Sequence, residues 1–77
     1  MKIFGVARGE FEIQAVETRL KEAGLYGRYE GQIKDQHRAL VMVSVRNVVE
    51  KEQVKGIFEN SGVTEIYYRD EELSVGN

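Results

Sequence analysis

The chain contains no cysteine and one histidine, His37. Without cysteine, neither a disulfide framework nor a Cys-containing zinc site can form. His37 falls in a predicted hairpin turn and the carboxylates scatter over predicted helix surfaces, so no metal or cofactor site is expected. A basic excess is missing too. Lys and Arg number 11 against 13 Asp and Glu, for a net charge of −2. Dedicated nucleic-acid binders usually carry a basic footprint, and this balance speaks against DNA or RNA as partner. Long hydrophobic runs are also lacking. The first apolar stretch ends at Arg8, too short for a signal-peptide h-region or a membrane span. The expectation is no membrane partner and a cytoplasmic location.

What is present is an internal repeat. Residues 2–25, laid over residues 40–63 without a gap, match Arg8 with Arg46, Glu12 with Glu50, Val16 with Val54 and Gly24 with Gly62. Leu20 falls on Phe58 and Leu25 on Val63. Each copy runs strand, Arg, polar helix start, amphipathic helix, Gly, apolar residue, strand. In the first copy Ile13, Val16, Leu20 and Ala23 recur at helical spacing. Gly24 then stands where a left-handed residue is needed, and Leu25 can fold back on Leu20 as in a Schellman ending. In the second copy Asn47 and Glu50 form a capping-box-like pair. Its stripe is Val54, Ile57, Phe58 and Ser61, closed by Gly62 and Val63.

Strands are predicted at 2–7, about 26–33, 38–46 and 64–69. Gly27 and Gly31 weaken the second and suggest an edge strand or bulge. Residues 34–37 form a polar turn to the third. The order βαββαβ without a long loop predicts an α+β fold. Its form is a ferredoxin-like sandwich, a four-stranded antiparallel sheet with two helices on one face. A chain of 77 residues has room for one such core. The domain is expected over 1–70, with 71–77 a charged, frayed tail. So small a domain buries only about 60% of its unfolded surface, and association is a ready way to bury more.

Strand alternation puts Val41, Val43 and Val45, with Ile3, Gly5 and Ala7, under the helices. Gly5 lacks a side chain where a helix could approach closely. The helix-free face receives Phe4 and Val6 from the first strand and Leu40, Met42 and Ser44 from the third. Either Tyr67 or Tyr68 joins it from the fourth strand, so both are candidates, and a tyrosine of the second strand is another. A solvated sheet face should read polar. One carrying Phe4, Val6, Leu40 and Met42 is expected to meet something. A second copy of the chain, or another protein, is the leading expectation. Pairing through the second or fourth strand as an edge is a further outcome. So is a C-terminal tail whose Leu73 and Val75 fold over the face. A dimeric α+β barrel, enzyme or ligand binder, would place Phe4, Met42 and the fourth-strand tyrosines around a pocket between two open faces.

RNA-recognition motifs share the βαββαβ order and stack bases on this same face. KIFGVA, residues 2–7, resembles their first strand, with Phe4 at the aromatic position. HRALVMVSV, residues 37–45, has Leu40 and Met42 where their third strand carries aromatics, and the glycines of that motif are missing. RNA binding therefore ranks third. In YGRYEG, residues 26–31, the tyrosine bodies are expected to pack along an edge strand while Arg28 is solvated.

Little else carries chemistry. A catalytic histidine needs an oriented partner and a cavity, and Asp35 near His37 is weak support for either. GVARGE, residues 5–10, lacks the glycine spacing and the Lys-Ser/Thr ending of a phosphate loop. Glu10 and Glu12 suit the positive end of the first helix, and Glu17 with Lys21 makes an i,i+4 pair. No nucleophile, base and orienter assemble in the pattern, so no catalytic residue is assigned and the reading leans away from an enzyme.

LVMVSVRNVVEKEQVKGIFENSGVTEIYY, the second copy, resembles the C-terminal part of small bacterial general stress (heat-induced stress) proteins. The shared features are the Val-rich strand 41–45, the polar cap Asn47, the charged helix 50–59, Gly62 and a short strand around Ile66. KIFGVARGEFEIQAVETRLKEAGL is similar to their opening βα unit. The longer Gly-rich middle of that family is missing here. The resemblance implies a stress-associated setting and no catalytic residues.

Overall fold

The structure is a computed structural model that describes residues 1–35 and 38–69. Expectations for His37, for Leu73 and Val75 and for the 71–77 tail lie outside the described residues. β1 spans Lys2–Ala7, α1 Glu10–Glu22, β2 Tyr29–Asp35, β3 Arg38–Ser44, α2 Val48–Asn60 and β4 Thr64–Arg69. A 3₁₀ turn occupies Tyr26–Arg28. The four strands make one open sheet in the order β2-β3-β1-β4, every neighbouring pair antiparallel. The fold is α+β.

Each helix turns its apolar stripe to the odd-numbered side chains of the central strands. Ile3, Val41 and Val43 from the sheet and Val16, Leu20, Val54 and Phe58 from the helices are wholly buried. They form one cluster, so both helices lie on the same side of the sheet. Each such side chain contributes about 1.5–3 kcal/mol by leaving water.

The helix endings follow the repeat. Gly24 and Gly62 take φ of 74° and 86°. Leu25 N–H donates to Leu20 O at 2.8 Å and Gly24 N–H to Lys21 O at 3.1 Å. Val63 N–H donates to Phe58 O at 2.9 Å and Gly62 N–H to Glu59 O at 3.3 Å. Both bonds of a Schellman ending are thus made in both copies, and Leu25 and Val63 enter the core. The beginnings differ. Asn47 Oδ1 accepts from Glu50 N–H at 2.9 Å, whereas Gly9 offers α1 no side-chain cap. Glu10 and Glu12 occupy the first turn of α1, where a carboxylate favours the dipole.

Three strand bounds differ from expectation. β2 starts at Tyr29 and not at residue 26, runs to Asp35 and not 33, and β3 stops at Ser44 and not 46. Gly27 disfavours a strand, and the chain leaving Leu25 instead closes a turn through Arg28 N–H to Leu25 O at 3.1 Å. β2 is an edge strand. Its Gly31 makes room for a ring, since a Cβ there would stand 2.6 Å from Tyr29 Oη.

β4 carries the main irregularity. Phe4 pairs with Tyr67 and Val6 with Thr64, so Glu65 and Ile66 together oppose Gly5. This is a β-bulge. Glu65 adopts a φ of 53°, a left-handed conformation that costs a side-chain-bearing residue about 1–2 kcal/mol. Gly5 accounts for the location. A Cβ on Gly5 would run into Val63 Cγ1 and stand 3.3 Å from Phe58 Cδ2.

Four substitutions test this packing by urea unfolding. Gly5→Ala lowers stability by about 1–3 kcal/mol through overpacking. Gly56→Ala gains up to about 1 kcal/mol, because a Cβ on that α2 residue meets nothing within 4 Å. Glu65→Gly is neutral or stabilising, whereas Glu30→Gly loses about 0.5–1 kcal/mol. Equal losses at Glu65 and Glu30 would remove the strained bulge from the account.

Candidate functional site

The helix-free face is built from rows of side chains set by strand register. Paired residues share a face in an antiparallel sheet. One row runs Glu30, Met42, Phe4, Tyr67 and the next Gln32, Leu40, Val6, Thr64. A third row holds Ser44, Lys2 and Arg69. Phe4, Val6, Leu40, Met42, Ser44 and Tyr67 therefore stand together, as a set. Tyr68 does not join them. It pairs with Ile3, faces the helices, and has Lys51 Nζ 4.5 Å from its ring centre. The bulge is the reason, because one extra residue in β4 resets the alternation that sequence parity would count. No tyrosine of β2 joins the face either. Tyr29 pairs with Val43 on the helix side, and Tyr26 lies in the 3₁₀ turn. β2 supplies Glu30 and Gln32 instead.

Phe4 is only 9% exposed although it lies on the open face. Tyr67 covers it, with ring centroids 4.9 Å apart and planes within 7°. Tyr67 itself remains 48% exposed and stands as a ridge along the β4 side. On the β2 side the face sinks into a depression of about 450 Å³ lined by Phe4, Glu30, Gly31, Gln32, Leu40 and Met42. A base approaching Phe4 meets Tyr67 already stacked on that ring, and β3 offers aliphatic Leu40 and Met42.

A second cleft, about 340 Å³, lies between α1 and β2 and is lined by Ile13, Glu17, Tyr26, Tyr29 and Ala39, among others. Tyr26 and Tyr29 stack at 5.7 Å, and Lys21 Nζ lies 4.7 Å from the Tyr26 ring centre. Burial, then the Glu17 carboxylate and Tyr26, push the Tyr29 phenol up to about 12. So raised, the Tyr29 phenol stays protonated at neutral pH. Among the described residues no cluster of three His, Asp or Glu side chains could hold a metal ion. No described helix is long and apolar enough to cross a membrane.

The strongest polar cluster is one that sequence spacing only half showed. Glu50 accepts from Arg28 Nη1 at 2.6 Å and Nη2 at 3.1 Å. It also accepts from Arg46 N–H at 2.9 Å, Nε at 3.3 Å and Nη2 at 3.0 Å. The Arg46 contact spans i,i+4, a spacing that could have shown it although only Glu17 with Lys21 was read that way. The Arg28 contact joins the 3₁₀ turn to the start of α2 across the fold, and no periodicity signals it. Arg28 is therefore half-buried and paired, not solvated. These donors, Arg28 first, lower the Glu50 carboxyl to about 2. Its part is to fix the α2 N-terminus.

A depressed folded-state pKa stabilises above the ordinary carboxylate range and loses that contribution as pH falls toward the folded value. Wild-type stability should accordingly drop as pH falls from about 4.5 to about 2. Glu50→Gln should be less stable at pH 7 and show a shallower drop over that window. Parallel urea-midpoint profiles for the two proteins would rule Glu50 out as the source. The chain matches no protein-family model, no curated protein and no solved structure.

Proposed function

We propose that the chain is a ferredoxin-like, non-enzymatic interaction module that pairs with a second copy of itself through the open sheet face. The observation that carries this reading is the run of Met42, Phe4 and Tyr67 across the centre of that face, with Leu40 and Val6 beside it. A face exposed to water in a single-layered sheet should carry polar residues at these positions. The strand order β2-β3-β1-β4 supports the ferredoxin-like assignment, since two βαβ halves with right-handed crossovers interleave in that order. The resemblance of the second copy to general stress proteins extends the proposal to a stress-associated setting and adds no residue role.

The depression beside Phe4 and Met42 favours a second reading, in which the paired sheets enclose a small apolar ligand. The face itself is modest. Four strands at about 4.8 Å spacing and six residues at about 3.3 Å rise give roughly 400 Å² of plan area. Counted over both partners that is roughly 800 Å², short of the about 1,000 Å² of a stable interface and in the range of transient pairs, so the dimer should dissociate on dilution.

Light scattering across a concentration series tests the proposal. Wild type should move from monomer to dimer mass. Met42→Glu should stay a folded monomer, with association weakened at least about 100-fold by a charge buried without a partner. Phe11→Glu is the control, because Phe11 is 87% exposed on α1, away from the sheet face, and its mass should follow wild type. A wild type that remains monomeric up to about 1 mM overturns homodimerisation. A Phe11→Glu protein that alone turns monomeric moves the interface to α1.

A further inference from the structure

We infer that the two copies pair about a two-fold axis running along the strands, so that β2 of one copy lies over β4 of its partner. This rests on the pairing proposed above and concerns its geometry. Among aligned packings of two sheets, two self-complementary arrangements bring the same faces together. With the axis along the strands, the β2 edge meets the β4 edge. With the axis across them, β2 meets β2 and β4 meets β4.

Relief separates the two. Tyr67, stacked on Phe4, makes the β4 side high. Glu30 and Gln32 line a depression on the β2 side. An axis along the strands lays each Tyr67 into the partner's depression, two matched insertions. The crossed axis sets ridge against ridge and leaves hollow facing hollow. Interfaces pack at close to interior density, so the first arrangement is favoured.

Charge gives the same answer independently. Glu30 stands on β2, while Arg69 lies on β4 and Lys2 beside it on β1. By register an axis along the strands lays Glu30 over Tyr67 of the partner subunit, one row or about 7 Å along the strand from the partner's Arg69, and the crossed axis brings like edges together. The register then specifies the contacts. Met42 meets Phe4 of the partner subunit, Leu40 meets Val6 of the partner subunit, and Gln32 comes over Thr64 of the partner subunit. Sheet twist of about 30° shifts the edge positions by roughly one residue. One feature opposes the arrangement: the same register brings Arg38, at the end of β3, over Arg8 of the partner subunit, just past the end of β1, across a gap of about 10 Å. Both lie at strand ends, where salt screens them.

A chain without cysteine permits a direct test. Gln32→Cys and Thr64→Cys are made separately, at exposed positions on opposite edges. Light scattering first shows that wild type and both variants dimerise. The variants are then mixed, diluted and reconcentrated to exchange subunits, and treated with a short bismaleimide. Covalent dimer should form severalfold more in the mixture than in either variant alone. Gln32→Cys cross-linking to itself as well as the mixture does would establish the crossed axis and overturn the inference. Dimers by scattering with no cross-link in any sample would overturn it too, placing the contact on another surface. Monomers by scattering would remove the homodimer reading itself, a result the first measurement distinguishes.

Discussion

Gly5 has no side chain, and Phe58 and Val63 use the space. That one close approach sets the form of the second half of the sheet. Val63 is the apolar residue that closes the Schellman ending of α2, so the helix end is seated on β1 through it. The chain must then leave Val63 and pair with β1 beyond the contact. It does so with two residues, Glu65 and Ile66, opposite Gly5. Glu65 holds a left-handed backbone to make the bulge. From there the alternation of β4 is reset. Tyr67 faces away from the helices and stacks on Phe4, while Tyr68 faces them under Lys51. The relief of the open face thus follows from a missing Cβ on the opposite side of the sheet.

The repeat made most of the fold legible before any coordinates. Gly24 and Gly62 with Leu25 and Val63 announced two Schellman endings, and all four bonds are present. Val16 with Val54, and Leu20 with Phe58, announced the two helix stripes, and all four side chains are wholly buried. These signals are local and periodic, so a single chain displays them twice. The open-face residues of β1 and β3 were legible for the same reason, because both strands keep an unbroken alternation.

Three features were not legible, and each depends on an event that spacing does not encode. Tyr67 and Tyr68 could not be separated because a bulge adds one residue to the count. The tyrosines of β2 were misplaced because a 3₁₀ turn, not a strand, follows Leu25. Tyr29 and Tyr67 both stand four residues after the closing apolar residue, Leu25 or Val63. They nonetheless face opposite sides of the sheet, since the first copy spends those residues on a turn and the second on a bulge. Arg28 was read as solvated because its partner Glu50 is distant in sequence.

The two copies agree where the core and the helix ends are built, and they differ where the surfaces acquire character. Gly9 stands where the second copy has Asn47, so only α2 has a side-chain cap. Glu12 and Glu50 correspond, yet only Glu50 is held by an arginine from beyond its own repeat. Phe4 corresponds to Met42, and only the ring can be stacked upon. The departures produce a face that is high and basic along one edge, low and acidic along the other. A symmetric pair of copies would have given two equal edges. Such a face would pair as well in one direction as in the other, whereas unequal edges prescribe which edge meets which. In the pairing proposed above, the asymmetry between the halves supplies what a repeated fold alone cannot, a direction for association.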